Sequence, residues 1–158
     1  MIIFGIDPGT ATTGFGIIKK ERGNFEMLDY GVIITSPKDT PSKRLEKIFK
    51  EISLLLKKIR PDLIVVEKLY FFKNLKTAMP VAEARGVILL AIQQRKMKVI
   101  ELTPLEVKMG ICGYGRAEKQ QVQKMVKETL KLEKIPKPDD AADALALAIC
   151  GALKTRCG

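Results

Sequence analysis

Residues 2–18 have the sequence IIFGIDPGTATTGFGII, in which two apolar runs flank an Asp-Pro-Gly turn at hairpin distance. This pattern predicts two antiparallel strands, the first of them buried. Arg22-Gly23-Asn24 marks a second turn, and EMLDYGVIITS at 26–36 predicts a third antiparallel strand. Asp7 ends the first strand and is the first candidate functional residue, although an Asp before Pro-Gly is equally typical of a turn.

The rest of the chain alternates between helical and strand patterns. Thr40-Pro41-Ser42 signals a helix start, and Pro61 ends that helix. Further strands are predicted over LIVV at 63–66 and KVIEL at 98–102. A helix is predicted over about 80–95, with Pro80 in its first turn, and a short helix begins at Thr103-Pro104. Two more helices are predicted over 117–131 and 138–154. Right-handed crossovers make the later strands parallel. We therefore predict an α/β fold, in which a mixed five-stranded sheet of three antiparallel strands followed by a parallel βαβαβ unit is flanked by helices.

The composition narrows the class of protein. The 158 residues fit a single domain over 1–158, and 46% of them are hydrophobic. No apolar run reaches the roughly 18–20 residues needed to span a bilayer, and no export signal precedes the first strand, so a cytoplasmic protein is expected. The net charge of +10 favours a polyanionic partner, most simply nucleic acid, although a lysine-rich surface of a heat-adapted protein has the same charge.

Four carboxylates stand out as candidates for chemistry. Asp7 and Glu67 end two predicted central strands, where open α/β sheets place their sites. Asp140 and Asp143 are three residues apart and share one face of an alanine-rich helix. Simpler interpretations exist, because Glu67 could be a surface residue and an acid at a helix N-terminus is favoured by the helix dipole.

Convergence of these carboxylates would require a cation. Two carboxylates about 5 Å apart repel by roughly 3 kcal/mol at an effective dielectric of about 20, while a domain is stable by only about 5–15 kcal/mol. The chain has no histidine, which excludes Ser-His-Asp triads and His-ligated metals. Oxygen ligands select Mg²⁺ or Mn²⁺, and two such ions would clamp a phosphodiester for in-line attack by water.

Five blocks of sequence, in order, resemble the RuvC family of crossover junction endodeoxyribonucleases, the bacterial Holliday-junction resolvases. They are FGIDPGTATTGFGII at 4–18, VVEKLYFFKN at 65–74, EARGV at 83–87, GRAEKQQVQKMV at 115–126 and DDAADALALA at 139–148. The resemblance implies a ribonuclease-H-like fold. It also implies that Asp7, Glu67, Asp140 and Asp143 are the catalytic metal ligands, with Mg²⁺ as cofactor, and that Asp139 is not one of them. We interpret Asp139 as a helix-cap residue.

The resemblance also implies partners and DNA contacts. Family members are homodimers that place two symmetric nicks in a four-way junction, leave 5′-phosphate and 3′-hydroxyl ends, and work with the RuvA–RuvB branch-migration complex. The helix at about 80–95 would lie at the dimer interface. Lys108 and Lys119 correspond to DNA-contacting lysines of the family, although either could be an ordinary surface lysine. Tyr70, Phe71 and Phe72 are candidates for stacking on unpaired bases, or for filling the core.

Other functions remain as alternatives. GIDPGT also resembles the phosphate loop of sugar kinases and actin-like ATPases, but those proteins need two such domains and a second phosphate loop. A ribonuclease-H-like nuclease with another substrate, such as an RNA–DNA hybrid, would use the same carboxylates. A junction-binding protein that does not cut is disfavoured because all four carboxylates are present.

Overall fold

The computed structural model of the protein describes residues 1–68 and 75–155. Within these residues the chain forms five strands and five helices, in the predicted order. They are β1 (Ile2–Asp7), β2 (Thr12–Glu21), β3 (Asn24–Ile34), α1 (Pro41–Ile59), β4 (Leu63–Glu67), α2 (Leu75–Gln94), β5 (Val99–Leu102), α3 (Pro104–Cys112), α4 (Lys119–Thr129) and α5 (Asp139–Lys154).

The five strands form one mixed sheet in the order β3-β2-β1-β4-β5. The pairs β1–β2 and β2–β3 are antiparallel, whereas β1–β4 and β4–β5 are parallel. Alternate residues of each strand face opposite layers, so Ile3 and Val65 pack with α3, α4 and α5, and Phe4 and Val66 pack with α1 and α2. The mixed five-stranded sheet flanked by helices is therefore confirmed.

The start of α2 differs from the prediction. The helix begins at Leu75, so Pro80 lies inside it and not in its first turn. The prediction placed Pro80 early because a proline there removes no helical hydrogen bond. In the structure the helix extends further in the N-terminal direction, and the Pro80 carbonyl accepts a hydrogen bond from Thr10 Oγ1 at 2.6 Å.

Local signals set the ends of the other helices. The Thr40 side chain caps α1, which ends where Arg60 adopts a left-handed conformation at φ 49° just before Pro61. A reciprocal capping box between Thr103 and Glu106 begins α3. No helix among the described residues combines the length and apolar character needed to cross a bilayer.

Helix α5 packs unusually close to the centre of the sheet. Gly5 and Gly16 are paired across β1 and β2, and a Cβ at Gly5 would overlap the backbone carbonyl of Ala144. A Cβ at Gly16 would lie 2.7 Å from the backbone nitrogen of Leu145. Such distances are far inside van der Waals contact, so side chains at these positions are incompatible with this packing. The glycines therefore set the distance between α5 and the strand that carries Asp7.

We predict that Gly5→Ala destabilises the protein, because the added methyl group forces α5 away from the sheet. Overpacking of this kind costs about 1–3 kcal/mol, and the clash with backbone places this site at the upper end. The measurement is the free energy of unfolding from urea titration. An unchanged unfolding midpoint would contradict the close packing described here.

Candidate active site

Asp7 and Glu67 lie side by side at one edge of the sheet. Strands β1 and β4 are parallel neighbours, and Ile6 pairs with Val66, so the next residue of each strand reaches the same level. By strand alternation both side chains face α5. The negative charge of Glu67 raises the pKa of Asp7, as expected for two carboxyl groups held at the same level of neighbouring strands.

Helix α5 brings the other two carboxylates to the same place. Asp7 pairs with Gly14 in the β1–β2 ladder, and a Cβ at Gly14 would overlap the backbone carbonyl of Asp140. The negative charges of Asp140 and Asp143 both act on Asp7, and that of Asp143 also acts on Glu67. All four predicted carboxylates therefore form one cluster, which we call the carboxylate cluster.

Burial and mutual repulsion make these carboxylates hard to ionise. Burial raises the pKa of Asp7 well above its ordinary value, and the charges of Glu67, Asp143 and Asp140 raise it further. Burial, followed by the charge of Asp143, raises the pKa of Glu67 to about 7. Burial also raises the pKa of Asp143, although Lys119 opposes that shift. The cluster is thus held at an electrostatic cost that a bound cation would relieve.

Lys119 supplies a positive charge at the edge of the cluster. Its Nζ lies 3.1 Å from Asp143 Oδ2 and 3.6 Å from Asp139 Oδ2. Asp139 in turn accepts a hydrogen bond from Lys137 Nζ at 2.8 Å. The expectation that Asp139 is a helix-cap residue is wrong, because the N-cap of α5 is Pro138 and no side chain caps it. The two ammonium groups hold the Asp139 carboxylate instead.

The donor set of the carboxylate cluster fits a hard divalent cation. All four side chains offer oxygen, the ligand that Mg²⁺ and Mn²⁺ prefer. In the described part of the chain, however, no three acidic or cysteine side chains converge closely enough to ligate one ion. The carboxylate of Asp143 forms an ion pair with the ammonium of Lys119. Ligation of a cation by Asp143 Oδ2 therefore requires this ion pair to open.

A cavity of about 270 Å³ opens beside the cluster, and both lysines singled out from the sequence line it. Lys108 of α3 and Lys119 of α4 share this cavity with Glu67 and Asp143, and its remaining walls are largely aliphatic. The expectation that the two lysines contact DNA stays a prediction, and the structure places both of them on the wall of this cavity. The predicted stacking residues lie outside the described residues: Tyr70, Phe71 and Phe72.

Sequence reasoning missed part of what builds the cluster. The alanines of α5 indicated close packing, but the glycines that receive the helix were not identified. Gly14 and Gly16, two residues apart on one face of β2, could have revealed it. The ion pair between Lys119 and Asp139 joins residues 20 positions apart, and no local pattern indicates it.

Comparison with known proteins identifies the class. The family model for crossover junction endodeoxyribonuclease RuvC matches residues 3–151. A crossover junction endodeoxyribonuclease RuvC from Natranaerobius thermophilus is 51% identical over 150 residues, which cover 95% of this chain and 93% of the relative. The structure of Thermus thermophilus RuvC superposes with a TM-score of 0.88 at 32% identity, covering 96% of this chain and 93% of that one.

The same Thermus thermophilus protein has been solved in complex with a Holliday junction substrate, and that structure gives a TM-score of 0.87 at 30% identity over 96% of this chain and 93% of the other. The fold is thus the ribonuclease-H-like α/β arrangement of nucleases. The chain belongs to the RuvC family of crossover junction endodeoxyribonucleases.

The raised pKa of Glu67 predicts a pH-dependent stability in metal-free buffer. The folded state retains a proton on Glu67 between pH 4.5, its ordinary pKa, and about 7, whereas the unfolded chain has lost it. The free energy of unfolding should therefore fall as pH rises through this window, by on the order of 2–3 kcal/mol.

Glu67→Gln removes one titrating group and should make this fall smaller, while Asp7 and Asp143, whose pKa values are also raised, keep a residual slope. The exposed Glu133 provides a matched control, since Glu133→Gln should retain the wild-type slope. Urea unfolding at pH steps between 4.5 and 7.5, with EDTA present, measures the difference. Equal slopes for all three proteins would show that Glu67 is not held in its protonated form.

Proposed function

We propose that this protein, acting as a single nuclease domain over residues 1–158, resolves four-way DNA junctions by divalent-metal-dependent hydrolysis of two phosphodiester bonds. The observation that carries the proposal is the carboxylate cluster, in which four acids meet beside two lysines in a basic chain of the RuvC family. The relative whose structure contains a Holliday junction supports four-way DNA as the substrate. Cleavage would leave 5′-phosphate and 3′-hydroxyl ends that a ligase can seal.

Asp7, Glu67, Asp140 and Asp143 are the proposed ligands of the cation, with Mg²⁺ as the native ion, two per site, and Mn²⁺ as a substitute. When bound, the ions would stabilise the charge on the attacking and leaving oxygens of the phosphodiester. The protein contributes the position of the carboxylates and a site partly shielded from water.

Lys119 and Lys108 are the proposed phosphate contacts beside the scissile bond. The ammonium of Lys119 lies at Asp143, so rotation of Asp143 toward a cation would release that ammonium toward a DNA phosphate. Lys108 lines the same cavity and would act as a second positive charge. Tyr70 and Phe71 are proposed, from the family resemblance, to contact the DNA bases beside the cleaved step.

A homodimer through α2 would supply the second active site needed for paired nicks. The outer face of α2 carries apolar or small side chains. Met79 is 70% exposed and Leu90 is 53% exposed, and a Cβ at Gly86 would have no neighbouring atom within 4 Å. An exposed apolar stripe of this kind on a helix is typical of a surface that a partner covers. A second copy of the chain, packed helix to helix, would bury this stripe.

The RuvA–RuvB branch-migration complex is a further proposed partner, and cytoplasmic localisation follows from action on chromosomal DNA. Both proposals rest on membership of the family. An alternative ribonuclease-H-like activity, on an RNA–DNA hybrid, would use the same carboxylates, so substrate comparison is needed to separate the two. A junction-binding protein that does not cut is the remaining alternative.

We predict that Asp7→Asn reduces Mg²⁺-dependent junction cleavage by at least a thousandfold, because it removes a central ligand, while junction binding changes less than threefold. Asp39→Asn, in an exposed turn, serves as the control and should cleave normally. Cleavage of a labelled four-way junction and a gel-shift titration measure the two quantities. Retained cleavage by Asp7→Asn would overturn the assignment of the site.

We predict that Leu90→Glu converts the protein to a monomer, because it places a charge in the proposed α2 interface. Leu54→Glu provides a matched control, since Leu54 of α1 is 62% exposed and lies outside that interface. Analytical ultracentrifugation should give a dimer for the wild type and Leu54→Glu, and a monomer for Leu90→Glu. A wild-type monomer in the presence of junction DNA would contradict the α2 dimer.

A further inference from the structure

Arg44 is held in a defined orientation on the side of the carboxylate cluster where Asp140 lies. It sits near the start of α1, half-buried, and its Nε donates a hydrogen bond to Thr35 Oγ1 at 2.7 Å. Thr35 is only 3% exposed, and its hydroxyl donates in turn to the carbonyl of Thr10 at 2.6 Å. This chain of bonds ties the guanidinium to the loop between β1 and β2, the loop that directly follows Asp7.

A second cavity, of about 410 Å³, opens between Arg44 and Asp140. The β1–β2 loop and residues Pro80 and Val81 of α2 form its other walls. This cavity shares no lining residue with the one that contains Lys108 and Lys119. One cavity reaches the carboxylate cluster through Glu67 and Asp143, and the other reaches it through Asp140. A DNA strand lying over the cluster would therefore meet a basic side chain at each end of its path.

The chemistry of Arg44 suits a phosphate. Within residues 1–68 and 75–155, no carboxylate lies within 4.0 Å of its guanidinium. Because Nε is bound to Thr35, the planar group is preorganised, and its terminal amino groups present the fork geometry that matches two phosphate oxygens.

We propose that Arg44 binds a backbone phosphate of the strand that occupies the active site, next to the phosphate that is cleaved. This inference rests on the proposed function. Asp140 lines the same cavity, and its negative charge disfavours a free anion there. The ligand is therefore a phosphodiester of a strand already held by other contacts. Arg44 and Lys119 then hold the strand from opposite sides of the scissile bond.

Salt-dependent binding tests the contact. Arg44→Gln should weaken binding to a four-way junction about tenfold and reduce the slope of log Kd against log salt by about one. Lys58→Gln makes the same charge change on α1, about 21 Å further along the helix by its rise per residue, and should change Kd less than twofold. Arg44→Lys should be intermediate, because it keeps the charge but loses the fork.

A phosphate scan locates the contact. Junctions carrying a single methylphosphonate at successive positions around the scissile bond are titrated with two forms of the 158-residue protein. Both carry Asp7→Asn, and one of them also carries Arg44→Gln. With Arg44 present, neutralising the contacted phosphate should weaken binding about tenfold. In the Arg44→Gln protein, the methylphosphonate at this phosphate should not weaken binding further. Methylphosphonates at neighbouring phosphates should weaken binding of both proteins equally.

Three outcomes would overturn the proposal. Arg44→Gln could bind the junction as tightly as Lys58→Gln does. Its effect could add to that of every methylphosphonate, with no position at which the methylphosphonate effect is lost. The methylphosphonate that weakens binding of the Arg44 protein could also weaken binding of Arg44→Gln to the same extent. Melting temperatures exclude misfolded variants from the comparison. Failure of the proposed function is distinguishable, because the protein with an unaltered active site would then fail to bind or nick the junction at all.

Discussion

The close contact between α5 and paired glycines of the central strands is the constraint on which the active site depends. Gly5 and Gly16 face each other in the β1–β2 ladder, and Gly14 lies opposite Asp7. Without side chains at these positions, α5 rests on the backbone of the sheet, and the first turn of the helix comes down beside the strand end that carries Asp7. A side chain at Gly14 would overlap the backbone carbonyl of Asp140 and push the first turn of α5 away from the strand end that carries Asp7. The cluster is thus a consequence of backbone packing.

The carboxylate cluster is electrostatically unfavourable, although the packing of α5 on the sheet brings its members together. Burial and mutual repulsion raise the pKa values of Asp7, Glu67 and Asp143. The folded protein therefore holds these groups in an environment that disfavours their charged form. The raised pKa of Glu67, about 7, favours its neutral form, and the ammonium of Lys119 reduces the repulsion further. A divalent cation relieves it more completely, because it interacts with several carboxylates at once. Stability and metal affinity are therefore coupled at this site, and stability alone would favour removing the acids.

Local sequence patterns predicted most of the fold and the four carboxylates, because strand ends, helix periodicity and the i, i+3 spacing of Asp140 and Asp143 are local properties. They failed where the outcome depends on contacts between distant segments. The extension of α2 before Pro80 was one such case. Asp139 was another, because the lysines that bind it come from α4 and from the loop before α5. Arg44 looked like one more charge on an amphipathic helix until Thr35 and the β1–β2 loop were seen around it.

We propose that the carboxylate cluster, loaded with a divalent metal, cuts four-way DNA in preference to other nucleic acids. The most direct test is a cleavage assay of the 158-residue protein in the presence of Mg²⁺. Three substrates are compared in separate reactions: a four-way junction, a linear duplex of the same sequence and an RNA–DNA hybrid. We expect paired nicks at symmetric positions of the junction, products that ligase can reseal, and loss of cleavage with EDTA. Equal cutting of the hybrid or the duplex, or cleavage that persists without divalent ions, would contradict this proposal.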